Sequence, residues 1–344
     1  MGQIMAIGQQ QFSFSGSVVA QMDDADSTAL GYVYDMNSEY CEFNYGDNNA
    51  YPITIDSAQY AVNKTLGLVV GTLNLRGYLK NDHFCTPVVA GALSTPITTN
   101  GADFLTNAFG PRISSGASIN NLNPWIVSLK PYNGATAIPM SGVFWTRMRL
   151  QAMMDVSGER LVWGYTLSGI VIDPLNQLGA VDPGLPGVAG TFGTGESTFG
   201  NSKLTNGAAS SPTTYDKIRR IALDISNGGM VTPATNPNYE RMADGYTPGP
   251  VTGALALTQL GVPTNAVPQS TASALAPFAI NIPDGNGSNT FLIALSTSWD
   301  ARGRQASTND FWQGAIQYTM FSTNSGNDTN GVWPFVCKYG ISPT

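Results

Sequence analysis

The chain has 344 residues, enough for one large domain or two of ordinary size, and its 42% hydrophobic content can fill a core. Charged residues make up only 11%, against roughly 25% in an average soluble protein, and Gly (38), Pro (21) and abundant Asn, Ser and Thr replace them. The net charge of −7, with no charged side chain from Met1 to Met22, argues against a basic nucleic-acid-binding arm, because tight phosphate binding needs a dense cationic surface.

Gln11–Ala20 and Tyr51–Tyr60 are weak strand candidates, and Leu68–Leu79 is a strong one. There Val69, Leu73, Leu75 and Leu79 share one parity while Thr72, Asn74 and Arg76 share the other, as a half-buried strand requires. Asn100 can cap a helical turn over Ala102–Phe109, stopped by Gly110 and Pro111. Val143–Ala152 places Phe144, Met148 and Leu150 opposite Trp145, Arg147 and Arg149. Leu161–Ile172 places Trp163, Tyr165, Leu167 and Val171 on one face, so the two runs predict an antiparallel hairpin.

Residues 182–200 are rich in Gly and Pro and close to the midpoint. They read either as a connection between two β-sandwich units, 1–181 and 201–344, or as a long surface loop in one larger sandwich. Beyond it, Thr213–Asp216 resembles a capping box, and Ile218, Ile221, Ala222 and Ile225 have helical spacing, which predicts a short helix over Thr214–Asn227. Residues 232–268 form a second Pro/Gly-rich stretch, an excursion from the second unit with a weaker helix candidate at Gly253–Leu260. Phe278–Ile282, Phe291–Leu295, Ile316–Phe321 and Val332–Cys337 again read as strands. The expected fold class is all-β: two antiparallel β-sandwich or jelly-roll units with a few short helices.

Residues capable of chemistry are sparse. His83 is the sole histidine, and although Cys85 lies two positions on, that spacing rarely permits the hydrogen bond of a nucleophilic pair. Asp284, Asn286, Ser288 and Thr290 imitate the start of a calcium loop, but Leu295 stands where the bidentate Glu belongs. Asp23, Asp24 and Asp26 read as a solvated turn, and Glu39 and Glu42 have no spacing diagnostic of glycoside chemistry. No Walker, dinucleotide or nucleophile-elbow motif occurs. The expectation is a protein without enzymatic activity, with no catalytic, metal or cofactor residues assigned. Trp145, Arg147 and Arg149 form either an interface stripe or a face packed beneath a second layer.

Three widely spaced cysteines (Cys41, Cys85, Cys337) suggest reduced thiols, and the start lacks the cationic end and apolar stretch of a secretory signal. These features predict a virion structural protein made in a host cytoplasm, since a surface with few charges lowers the desolvation cost of packing many copies. The layout of two β halves, a connection near 182–200 and short helices such as Thr214–Asn227 resembles the double-jelly-roll major capsid proteins of tailless viruses. The resemblance implies a trimer in an icosahedral shell, contact with other virion proteins and with an internal viral membrane, and no sequence-specific nucleic-acid binding. The alternatives are a phage tail-tube protein forming stacked rings, with the Val143–Ile172 hairpin in the lumen-lining sheet, and a host-attachment or glycan-binding β protein.

Overall fold

The computed structural model describes residues 9–11, 17–22, 31–48, 52–53, 63–64, 68–79, 88–89, 91–97, 103–109, 124–131, 135–153, 162–186, 199–206, 212–232, 241–247, 249–267, 276–283, 290–307, 310–320 and 335–341. The first half contains β1 (Gln9–Gln11), β2 (Ser17–Met22), β3 (Tyr32–Asp35), β4 (Ser38–Asn48), β5 (Pro52–Ile53), β6 (Asn63–Lys64), β7 (Leu68–Tyr78), β8 (Val88–Val89), β9 (Ala92–Pro96), α1 (Phe104–Phe109), β10 (Trp125–Lys130), β11 (Ile138–Met153) and β12 (Gly164–Asp173). The second contains β13 (Lys203–Thr205), β14 (Ile218–Ser226), β15 (Met230–Val231), β16 (Tyr246–Thr247), β17 (Thr252–Leu260), β18 (Ala276–Pro283), β19 (Thr290–Ser307), β20 (Asp310–Met320) and β21 (Phe335–Ile341). The protein is all-β, a sandwich of antiparallel sheets with almost no helix.

The pairing pattern occurs twice. In the first half β2 pairs with β10, β10 with β11, β11 with β12, β12 with β7 and β7 with β4. In the second half β13 pairs with β18, β18 with β19, β19 with β20, β20 with β17 and β17 with β14. Each strand of one set has a counterpart in the other, in the same chain order, and every pairing is antiparallel. Additional strands decorate the first set: β3, β8 and β9 extend it beyond β2, and β1 lies on β4.

Inside the first repeat, the four-stranded layer β4–β7–β12–β11 faces β2, β10 and α1 across the core. Val69, Leu73, Leu75 and Leu79 are buried there, as are Trp163, Tyr165, Leu167 and Val171, so the alternation in both runs matches the sheet. Tyr34, Phe104, Trp125 and Trp145 form one aromatic cluster, with ring centroids 5.3 to 6.1 Å apart where they touch. In the second repeat Phe278 of β18 meets Tyr318 of β20 edge-on at 4.8 Å. Trp163 donates from Nε1 to Ser202 Oγ at 2.7 Å and packs on Phe199, which ties the start of the second repeat to the first.

Two helix expectations are corrected. Ile218–Ser226 is strand β14, and Thr252–Leu260, inside the 232–268 stretch, is strand β17. The four apolar residues with helical spacing mask the competing alternation of Ile221, Leu223 and Ile225, all buried between β11 and β17. Lys217, at φ 55°, also interrupts any helix starting from the capping box. The helix expected over Ala102–Phe109 is present as the shorter α1, Phe104–Phe109, with Asp103 and not Asn100 in the capping position.

Asp103 caps α1: Thr106 donates to its carboxylate through backbone N at 2.9 Å and Oγ1 at 2.8 Å. Burial raises the Asp103 pKa above its ordinary value, against the lowering effect of hydrogen bonds from Thr106 and Cys337. The folded chain therefore keeps a proton that the unfolded chain releases near pH ~3.9. The contribution of this proton to stability is fully present below that pH and is lost as pH rises through the folded pKa. Asp103→Asn keeps a good cap and should remove this part of the fall in Tm with rising pH; an unchanged slope contradicts the assignment.

Candidate assembly surface

The two repeats meet strand to strand. One edge of β11 pairs with β12 through residues 141–151. Its other edge pairs with β10 in its first part and with β14 in its last, where Arg147 faces Ser226, Leu150 faces Leu223 and Met153 faces Arg220. The result is one unbroken path of hydrogen-bonded strands, β1–β4–β7–β12–β11–β14–β17–β20–β19.

A β-bulge at Thr146 sits where β11 changes partner. The bulge flips the side-chain parity, so Trp145 is buried in the same core as Met148 and Leu150, while Phe144 packs on the opposite side with Ile172 and Ala243. The face on which alternation groups Trp145 with Arg147 and Arg149 is therefore divided: Trp145 lies in the core and Arg147 is exposed. Asn227 secures the bulge. It is fully buried, donates from Nδ2 to Trp145 O at 2.5 Å, and accepts at Oδ1 from Tyr246 OH at 2.7 Å and from Gly229 N at 3.2 Å. Its backbone N donates to Thr146 O.

The side of this sheet away from the core is covered only in part. Phe144, Ile170, Ile172 and Val70 lie beneath Val231, Ala243 and Tyr246, and Tyr246 stacks on Phe144 at 4.7 Å. The remainder is open and polar. One cross-strand row runs Tyr40–Arg76–Thr166–Arg149–Asp224–Ala254–Thr319 through both repeats without a break. Two cations on this face are paired with carboxylates: Arg76 bonds Glu39 at 3.0 Å, and Arg147 reaches across the joint to Asp224 through two bonds of 2.9 and 2.6 Å. The Asp224 carboxylate raises the Arg147 pKa, so this cation stays charged. A shallow groove of about 750 Å³ crosses the same joint, bounded by Glu39, Arg76, Tyr78, Gln151, Met153 and Arg220.

Glu42 accepts a hydrogen bond from Asn44 Nδ2 at 2.9 Å, and Glu39 is bound to Arg76. The Cys41 thiol is buried beside Glu42, and burial above all pushes its pKa up to about 12, which makes it a poor nucleophile. Among the described residues no group of His, Cys, Asp and Glu could hold a metal ion, and no helix is long and apolar enough to cross a membrane. His83, Cys85, the Asp23–Asp26 cluster and the loop residues Asp284, Asn286 and Ser288 lie outside the described residues. No protein-family model matches the sequence, and no curated protein matches it.

The residues that matter for this surface are backbone groups on strand edges, to which a motif search is blind. The repeat itself left faint traces. Gly71-Thr-Leu-Asn-Leu75 of β7 aligns with Gly253-Ala-Leu-Ala-Leu257 of β17. Trp145 and the pair Gln151-Ala152 of β11 align with Trp299 and Gln305-Ala306 of β19. The backbone agrees in finer detail. Both long strands bulge immediately after the aligned tryptophan, at Thr146 and Asp300. Both β4 and β14 shift register near their starts, at Glu39 and Arg219. Each is preceded by a non-glycine residue with positive φ, Asn37 at 43° and Lys217 at 55°, whose carbonyls accept from Tyr78 N and Leu260 N respectively.

Asn227→Ala should destabilise the fold by about 3 kcal/mol in urea unfolding, because buried partners at the bulge lose their bonds. Arg147→Ala should cost no more than about 1 kcal/mol, since the pair is exposed. Equal losses would contradict the role given to Asn227.

Proposed function

We propose that the protein is a virion structural protein that self-assembles into rings, as a tail-tube subunit does. The observation that carries this reading is the joint between β11 and β14, which adds one repeat to the next along a strand edge. A heterologous contact of this kind, repeated with the same rotation, closes into a ring or continues as a helix. Side-by-side upright sandwiches in a shell require no such continuous sheet, so the geometry favours a tube over the icosahedral capsid that the layout resembles. The polar face, with Arg76 and Arg147 paired to carboxylates, suits a bore, because paired cations bind a sliding polyanion less tightly than free ones. Ring formation through the host-made chain makes the principal partner a second copy, with other virion proteins at the ends of the tube, and requires neither a cofactor nor a catalytic residue.

Light scattering with negative-stain imaging of the purified protein tests this reading. Rings of uniform diameter, alone or stacked, are the expected result. Pseudo-hexagonal trimers building shells would replace it with the capsid reading. A strict monomer at high concentration would contradict both and direct attention to glycan binding by the exposed Tyr40 and Tyr78.

A further inference from the structure

The internal joint has a counterpart that the single chain leaves incomplete. The partners in the joint are the last part of β11, residues 147–153, and the outer edge of β14. Their equivalents in the other repeat are residues 301–307 of β19 and the outer edge of β4. Residues 301–307 pair with β20 on one edge, and among the described residues no strand pairs with the other. Among the described residues the outer edge of β4 carries only β1, three residues long, with Gln9 opposite Asn44, Gln10 opposite Phe43 and Gln11 opposite Glu42. An unpaired strand edge is a template for another chain, and a short covering strand is one way to protect it.

We infer that β19 of one copy adds to β4 of the next, in the register of the internal joint, and that β1 is a temporary cover which this strand displaces. The inference rests on the ring reading and names its interface. The register follows from the shared marks of the two repeats. Trp145 corresponds to Trp299 at the bulge, and Leu223 corresponds to Phe43 opposite the paired leucines Leu255 and Leu73. Gln151 opposite Ala222 in the joint therefore becomes Gln305 of one copy opposite Glu42 of the next. Arg149 opposite Asp224 becomes Gly303 opposite Asn44. The three positions of β4 covered by β1 fall inside the stretch that β19 would pair with, so both strands cannot occupy that edge together. The cover explains how one chain can fold alone without exposing the whole of an adhesive edge.

Cysteine pairs read this directly, because directly opposed residues come within disulfide reach while the diagonal neighbour, with Cβ atoms roughly 7 Å apart, does not. Glu42→Cys with Gln305→Cys should cross-link between copies in assembled rings, and Asn44→Cys with Gln305→Cys should remain reduced. Glu42→Cys with Gln11→Cys should instead close within one chain, hold the oxidised protein as a monomer, and release it to assemble on reduction. Gln10→Pro, which removes a backbone donor from β1, should speed ring formation several-fold if the cover is displaced. Rings in which the 42/305 pair stays reduced or the 44/305 pair links equally well would overturn the register. Undiminished assembly of the oxidised 11/42 protein, or an unchanged rate for Gln10→Pro, would overturn the displacement. Shells or a persistent monomer from the unaltered chain would instead defeat the ring reading itself, so the two failures are separable.

Discussion

Backbone donors and acceptors on a strand edge must find partners, and in this protein that requirement is concentrated on β11. The strand is 16 residues long and serves two layers, pairing first with β10 and then with β14 along the same edge. A regular strand could not make that transfer and keep its apolar residues inside. The bulge at Thr146 supplies the extra residue that resets parity, and Asn227 satisfies the carbonyls freed there. The sandwich of the first repeat, the attachment of the second and the continuous polar face all depend on this local solution.

The second repeat reaches the same backbone with different side chains. Gly71 and Gly253 illustrate what was kept. A side chain at Gly71 would press on Val171 and the carbonyl of Asn44, and one at Gly253 on Met320 and the carbonyl of Asp224, which are equivalent neighbours. The tight approach of three strands was retained while the packing residues changed from Phe43 to Leu223 and from Val171 to Met320. The strain of a left-handed residue before β4 and β14 was retained as well, through Asn in one case and Lys in the other. Geometry at the edges and bulges recurs in both halves more closely than residue identity in the core.

The all-β class was legible because alternation in Leu68–Leu79 and Leu161–Ile172 has no helical competitor. Ile218–Ser226 was not, because Ile218, Ile221, Ala222 and Ile225 fit a helical template while Ile221, Leu223 and Ile225 fit an extended one, and only the neighbouring strands decide between them. The face of Trp145 was misjudged for a different reason: a single bulged residue inverts every assignment downstream, and no residue type marks it. The repeat of the pairing pattern was hidden because the matching residues are a few positions long and separated by loops of unequal length. The candidate surface was the least legible part. Its proposed groups are peptide N–H and C=O on β4 and β19, which every residue except proline possesses, whereas most of the side chains that drew attention by their chemistry lie outside the described residues.

Hydrogen exchange of the free chain against the assembled form tests the central claim most directly. The account predicts that the alternate amides of 301–307 and 40–46 that point to the outer edge become protected on assembly, while 147–153 and 220–226, joined within the chain on both edges, are protected in both states. Protection gained elsewhere, with the edges of β4 and β19 exchanging as before, would contradict it.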